Sequence, residues 1–178
     1  MPIAMQAFHP KALLDTLSAV SAATLGKSSD QTEIAVKSIN NDTISLQHHA
    51  DWELDSSADD YEPETRFTIN SPYNSYVTIR IDQYKRTPES LIEDILYRLD
   101  GPAITTFSRS NFTQWGKHQG VGRHLKGKIM DMFPGGVRVF VTRPLNNTLI
   151  ITEFYFSEEL EDTAPGYMVI SETLVMKK

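Results

Sequence analysis

Apolar residues recur at every second position through most of this chain and at helical spacing in three places. The first helical stretch begins at Pro10. Leu13, Leu17 and Val20 then fall on one stripe with Leu14 beside them, and Gly26 stands where a helix ends. The pattern predicts an amphipathic helix from Pro10 to Leu25, and Lys27 to Gln31 reads as a polar linker after it. Alternation starts in Glu33 to Ile39 and resumes in Thr43 to Gln47, with Asn40-Asn41-Asp42 as the turn of a hairpin. Arg66 to Asn70 and Tyr76 to Tyr84 form a second pair, with Val77, Ile79 and Ile81 on one face.

Thr87-Pro88-Glu89-Ser90 has the chemistry of a helix start, with a hydroxyl cap and proline at the first helical position. Leu91, Ile92, Ile95, Leu96 and Leu99 supply the apolar stripe, and Gly101-Pro102 ends it. Strands are expected again at Ile104 to Ser108, Phe112 to Gly116 and Val121 to Met130. Pro134-Gly135-Gly136 reads as a turn, Val137, Val139 and Val141 mark a strand, and Leu149 to Phe156 follows the turn Arg143 to Asn147. A last helical run opens at Pro165, with Tyr167, Ile170 and Leu174 on its stripe. Strands outnumber helices and do not alternate with them. The expected class is α+β, a mainly antiparallel sheet flanked by helices.

Length allows one core: residues 1–30 are read as the N-terminal helix and linker, and residues 31–178 as a single α+β domain. The chain has no cysteine, which excludes disulfides, thiolate metal ligands and a cysteine nucleophile, and fits a cytoplasmic protein. Asp15 interrupts the first apolar stretch, which argues against a cleaved signal peptide, and no stretch is long and apolar enough for a transmembrane span. A net charge of −6 argues against a general nucleic-acid binder.

Charge is nevertheless segregated. Asp51 to Glu64 holds seven acidic residues and no cation, and reads as a solvated loop anchored by Trp52 and Leu54. Gly101 to Met130 holds Arg109, Lys117, Arg123, Lys126 and Lys128, with His118 and His124 and no carboxylate. A local positive field attracts an acidic partner surface or an anionic ligand, while the plain alternative is a solvated sheet edge. The candidate binding residues are Trp115, Lys117, Arg123, His124, Lys126 and Lys128. Self-association, with the acidic loop of one copy on the basic strand of another, is a further option.

Order of elements brings in a resemblance. Ile44-Ser45-Leu46 followed by Asp51-Trp52, an acidic loop, Val77 to Ile81, the helix after Pro88-Glu89-Ser90-Leu91, Gly116 before a long strand and Ser171-Glu172-Thr173-Leu174 make one succession. Over about residues 43–176 it resembles the PsbP-like superfamily of photosystem II extrinsic subunits, a Ran-binding import factor, DcrB-type proteins and small secretion-effector chaperones. The resemblance implies a PsbP-like α/β/α sandwich and a binding or assembly role without a common catalytic centre.

Catalytic motifs are lacking. Gly120-Val121-Gly122 lacks the third glycine of a dinucleotide fingerprint, and Gly127-Lys128 is followed by Ile129 where a phosphate loop needs a hydroxyl. These glycines read more simply as bends or bulges of a curved strand. His48 and His49 are adjacent, so on a strand they point to opposite faces and do not share one metal ion. Glu153, between Ile151 and Tyr155, falls on a buried face and needs a cation such as Arg138 or Arg80. No cofactor is implied. A non-enzymatic protein-binding role leads, a carrier of a small anionic or amphiphilic ligand is second, and an uncharacterised hydrolase is third.

Overall fold

The computed structural model describes residues 35–83, 85–101 and 103–177. The expected N-terminal helix, its linker and the boundary after residue 30 lie outside the described residues. Among the described residues ten strands and two α-helices follow one another: β1 (Val36–Asn40), β2 (Ile44–His49), β3 (Glu53–Asp55), β4 (Arg66–Asn70), β5 (Tyr76–Asp82) and α1 (Pro88–Leu99) come first. β6 (Ile104–Trp115), β7 (His118–Ile129), β8 (Phe133–Thr142), β9 (Thr148–Phe156), α2 (Leu160–Thr173) and β10 (Val175–Met176) complete them. Seven strands form one antiparallel sheet in the order β3-β4-β5-β9-β8-β7-β6, and β1-β2-β10 form a small second sheet.

Period-two alternation divides the large sheet into two apolar faces. On β9, Leu149, Ile151 and Tyr155 join the cluster under α2 and the small sheet, which includes Trp52, Phe67, Val77, Ile79 and Ile170. Ile150 and Phe154 point the other way, into the cluster that α1 closes with Leu91, Ile92 and Leu96 over Val137, Val139 and Val141. Both faces are covered by helix, so the fold is the α+β sandwich that the sequence predicts. The α1 start is also as expected: the Thr87 hydroxyl accepts from the Ser90 N–H at 3.3 Å, with Pro88 at the first turn.

Four local expectations are corrected. Part of the acidic loop is the short strand β3, because Trp52 is buried edge-on against Tyr167, with ring centroids 5.0 Å apart, and brings the backbone beside β4. The two strands expected on either side of Arg109-Ser110-Asn111 are one strand, β6, paired with β7 through two register shifts. Its middle is polar because β6 is the sheet edge and most of its side chains meet water, so no alternation marks it.

Pro134-Gly135-Gly136 is not a turn but the start of β8. The glycines serve packing there: a Cβ at Gly136 would lie 2.5 Å from the Tyr155 hydroxyl. The chain instead reverses at Met130 and Asp131, with the Met132 N–H donating to the Ile129 carbonyl at 3.1 Å. Finally α2 begins at Leu160, before Pro165. The Glu159 side chain fixes that start by accepting from the Asn74 N–H and side-chain amide and from the Ser75 hydroxyl at 2.6 Å. Pro165 lies on the exposed side of the helix, where the Glu161 carbonyl that loses its partner meets water.

Gly166 is the contact point of α2 with the core. A Cβ there would come within 2.3 Å of the Trp52 indole. Gly166→Ala is therefore expected to lower the unfolding free energy by about 1–3 kcal/mol through overpacking, measured by urea titration. A neutral or stabilising result would contradict this packing.

A basic sheet face as candidate functional site

The basic run of β7 is divided between two faces by the pleat. Arg123 lies on the α1 face, where its Nε stands 3.6 Å from the Glu93 carboxylate. His124, Lys126 and Lys128 lie on the other. Arg109, on β6, is bonded to Asp100. Lys117, Lys126 and Lys128 make no ion pair among the described residues. Of the positive run seen in the sequence, these three lysines carry the unneutralised charge.

Trp115 is not a surface residue. It is 2% exposed, and its indole N–H donates to Glu153 Oε1 at 2.6 Å. The second carboxylate oxygen accepts from Arg138 at 2.9 Å, and Glu153 is likewise 2% exposed. This is the structural ion pair expected for Glu153, with Arg138 as the partner. Sequence reasoning did not foresee the Trp115 bond, because β6 and β9 are remote in the chain and not neighbours in the sheet.

Cross-strand register places His124 opposite Arg138, and Arg138 opposite Glu153. Ser110 of β6 stands opposite His124 on its other side, and Ser108 opposite Lys126. One row thus runs from the exposed hydroxyl of Ser110 through His124 and Arg138 to the buried carboxylate. His124 Nε2 and the Tyr155 hydroxyl share a 2.7 Å hydrogen bond. Burial, and then the Arg138 and Lys126 charges, lower the His124 pKa to about 3, so the imidazole is neutral at ordinary pH. Burial raises the Tyr155 phenol to about 12. Arg138 also lies over the Phe112 ring, 4.8 Å from its centroid, in cation–π geometry.

The charge of this row balances at Arg138 and Glu153 and leaves Lys126 and Lys128 in excess. With Ser108 and Ser110 they present ammonium and hydroxyl donors on a sheet face that stays open at its β6 edge. Arg138, Tyr155 and Phe112 are members that sequence reasoning did not assign to the site. Their only sequence signal is pairing register. Two further histidines read as structural: His48 is buried, and His118 donates from Nε2 to the Leu174 carbonyl at 3.0 Å.

The acidic loop lies at the opposite edge of the sheet. Counting strands from β3 to β7 separates the two by roughly 24 Å across the sheet. The loop carboxylates are partly engaged at home: Asp60 is 3.8 Å from Arg66, and Asp55 accepts from the Ser57 hydroxyl at 2.8 Å.

These features define a class, an α+β sandwich with an open cationic sheet face. No protein-family model matches the sequence, and no curated protein does either. In three dimensions the chain is similar to cyanobacterial PsbP (CyanoP) from Synechocystis sp. PCC 6803, at 8% identity, covering 85% of this chain and 98% of that one with a TM-score of 0.49. It is similar to LpqN, involved in cell envelope biogenesis of Mycobacterium tuberculosis, at 15% identity, 83% and 93% coverage and a TM-score of 0.49. It is also similar to the Saccharomyces cerevisiae Ran-binding protein Mog1p, at 14% identity, 79% and 87% coverage and a TM-score of 0.47.

Proposed function

We propose that this chain is a non-enzymatic binding or assembly protein that engages an acidic protein partner through the open sheet face of β6 and β7. The observation that carries this reading is the pair Lys126 and Lys128, which keep their charge unneutralised among the described residues while Arg109 and Arg123 are paired within the fold. An open, unpaired cation pair beside exposed hydroxyls steers and orients an acidic surface. Trp115 and His124 support the face from beneath, and Lys117 adds charge at the β6–β7 turn. A second reading has one specific observation in its favour: Arg138 lies over the Phe112 ring on the same sheet face, and an anionic amphiphile would find both donor and ring there.

Native mass spectrometry of protein purified gently from its host separates the two. A co-purifying protein that Lys126→Glu plus Lys128→Glu releases, with at least a tenfold loss of affinity (about 1.4 kcal/mol), is the expected result. Retention of that protein by the double variant would overturn the reading. A small molecule retained in place of a protein would move the assignment to the ligand carrier.

A further inference from the structure

The β7–β8 turn carries apolar side chains where a turn has least use for them. Met130 and Asp131 have φ of 50° and 59°, the left-handed region that favours Gly and Asn in a two-residue reversal. Despite that, Met130 is 68% exposed and Met132 64% exposed. Phe133 follows, held edge-to-face on Phe156 and itself exposed. The chain adopts a strained choice of residue at the apex, and the local fold gains no core contact from it.

Neighbouring elements extend this end. The Met130 N–H donates to the Ala103 carbonyl, and Asp100, just past α1, bridges to Ile104, which pairs with Ile129. Three residues before that bridge, Tyr97 is 86% exposed, next to the exposed Arg98. Phe107, at the bulge opposite Lys126 and Gly127, is exposed as well. Lys128 stands two residues before Met130. Of the carboxylates here, Asp131 accepts from the Thr105 hydroxyl and Asp100 is bonded to Arg109. The patch therefore protrudes with Met130, Met132 and Phe133 exposed around Asp131, and Tyr97, Arg98 and Lys128 are exposed on the elements beside it.

We propose that this hairpin tip is a membrane-contact site that inserts Met130, Met132 and Phe133 into the headgroup region of an anionic lipid surface. Lys128, Arg98 and Lys126 would meet the phosphates, with Tyr97 at the interface. A fluid bilayer receives a protruding apex without a matching pocket, which a protein partner would have to supply. Charge placement also fits: the loop after β3 begins its return at Arg66, which is in register with Val141 and Val121, eight residues of β7 away from the tip. That is roughly 26 Å along the strands, in addition to the distance across them, so the acidic loop is held away from the lipid.

The test is flotation of the full chain with phosphatidylcholine vesicles, with and without phosphatidylglycerol. Binding to the anionic vesicles only is expected. Met130→Asn should reduce it about tenfold, because a polar side chain replaces the inserted one. The same substitution suits the left-handed backbone, so its thermal midpoint should hold or rise, which no folding defect would mimic. Absence of wild-type flotation with anionic vesicles, or equal flotation of Met130→Asn, would overturn the proposal. So would loss of a co-purified protein by Met130→Asn without any vesicle binding, which would make the tip a protein contact. Lys126→Glu plus Lys128→Glu weakens both this contact and the partner binding proposed above. Met130→Asn affects this one alone.

Discussion

Replacing Arg138 with leucine lowers the unfolding free energy by about 2–4 kcal/mol, because it strands the Glu153 carboxylate on a buried sheet face. The lower part of the range for a broken buried pair applies, since a quarter of the Arg138 side chain meets water. The Trp115 indole would still donate to Glu153, but a neutral donor does not replace a guanidinium. Replacing both partners, Arg138→Met with Glu153→Gln, removes the buried charge together with its counter-ion, keeps an acceptor for the Trp115 indole and is expected to restore most of the loss. Urea titration of the single and double variants checks this as a double-mutant cycle. A cost below about 0.5 kcal/mol for Arg138→Leu would mean that the carboxylate finds water or another partner.

The second large effect is acid sensitivity at a pH where carboxylates are still ionised. Folded His124 stays neutral down to about pH 3, whereas in the unfolded chain it takes up a proton near pH 6.5. Between those values the unfolded state binds more protons, so stability falls as pH falls. The slope is up to about 1.4 kcal/mol per unit for one such group, a few kcal/mol in all. His48 and His118 are lowered by burial too and act in the same direction. Asp94 is different: its hydrogen bond from Arg86 holds its pKa below the usual value, and stability from that source is lost only at lower pH. His124→Gln keeps a hydrogen-bonding group for Tyr155 and removes the titration. Denaturation curves between pH 6.5 and pH 4 should be flatter for this variant than for the wild type. Identical slopes would assign the acid loss elsewhere.

These two effects share the row that organises the candidate site, and they show how much of it the sequence reveals. Glu153 stands out by alternation alone, between Ile151 and Tyr155 on a strand whose even positions point to the other face. Its need for a cation follows from burial. That Arg138 fills the need, that Trp115 joins, and that His124 is neutral beside them depend on register among strands remote in the chain.

Local physics determined the elements whose signals are local. The Thr87-Pro88 start of α1, the turn at Asn40-Asn41-Asp42 and the alternation of Val77, Ile79 and Ile81 each act within a few residues, through capping, backbone preference and pleat. The α+β class and the segregation of charge between Asp51–Glu64 and Gly101–Met130 were equally legible. Tertiary structure decided what depends on neighbours. Gly135 and Gly136 form ladder rather than turn because Tyr155 fills the space of a side chain. Residues 109–111 continue β6 because an edge strand open to water needs no apolar alternation. Above all, the pleat and the sheet order sent Arg123 to Glu93 and left Lys126 and Lys128 free among the described residues. A sequence states which charges a chain carries. Which of them remain unneutralised is set by pairings over distances that only folding brings within a few ångströms.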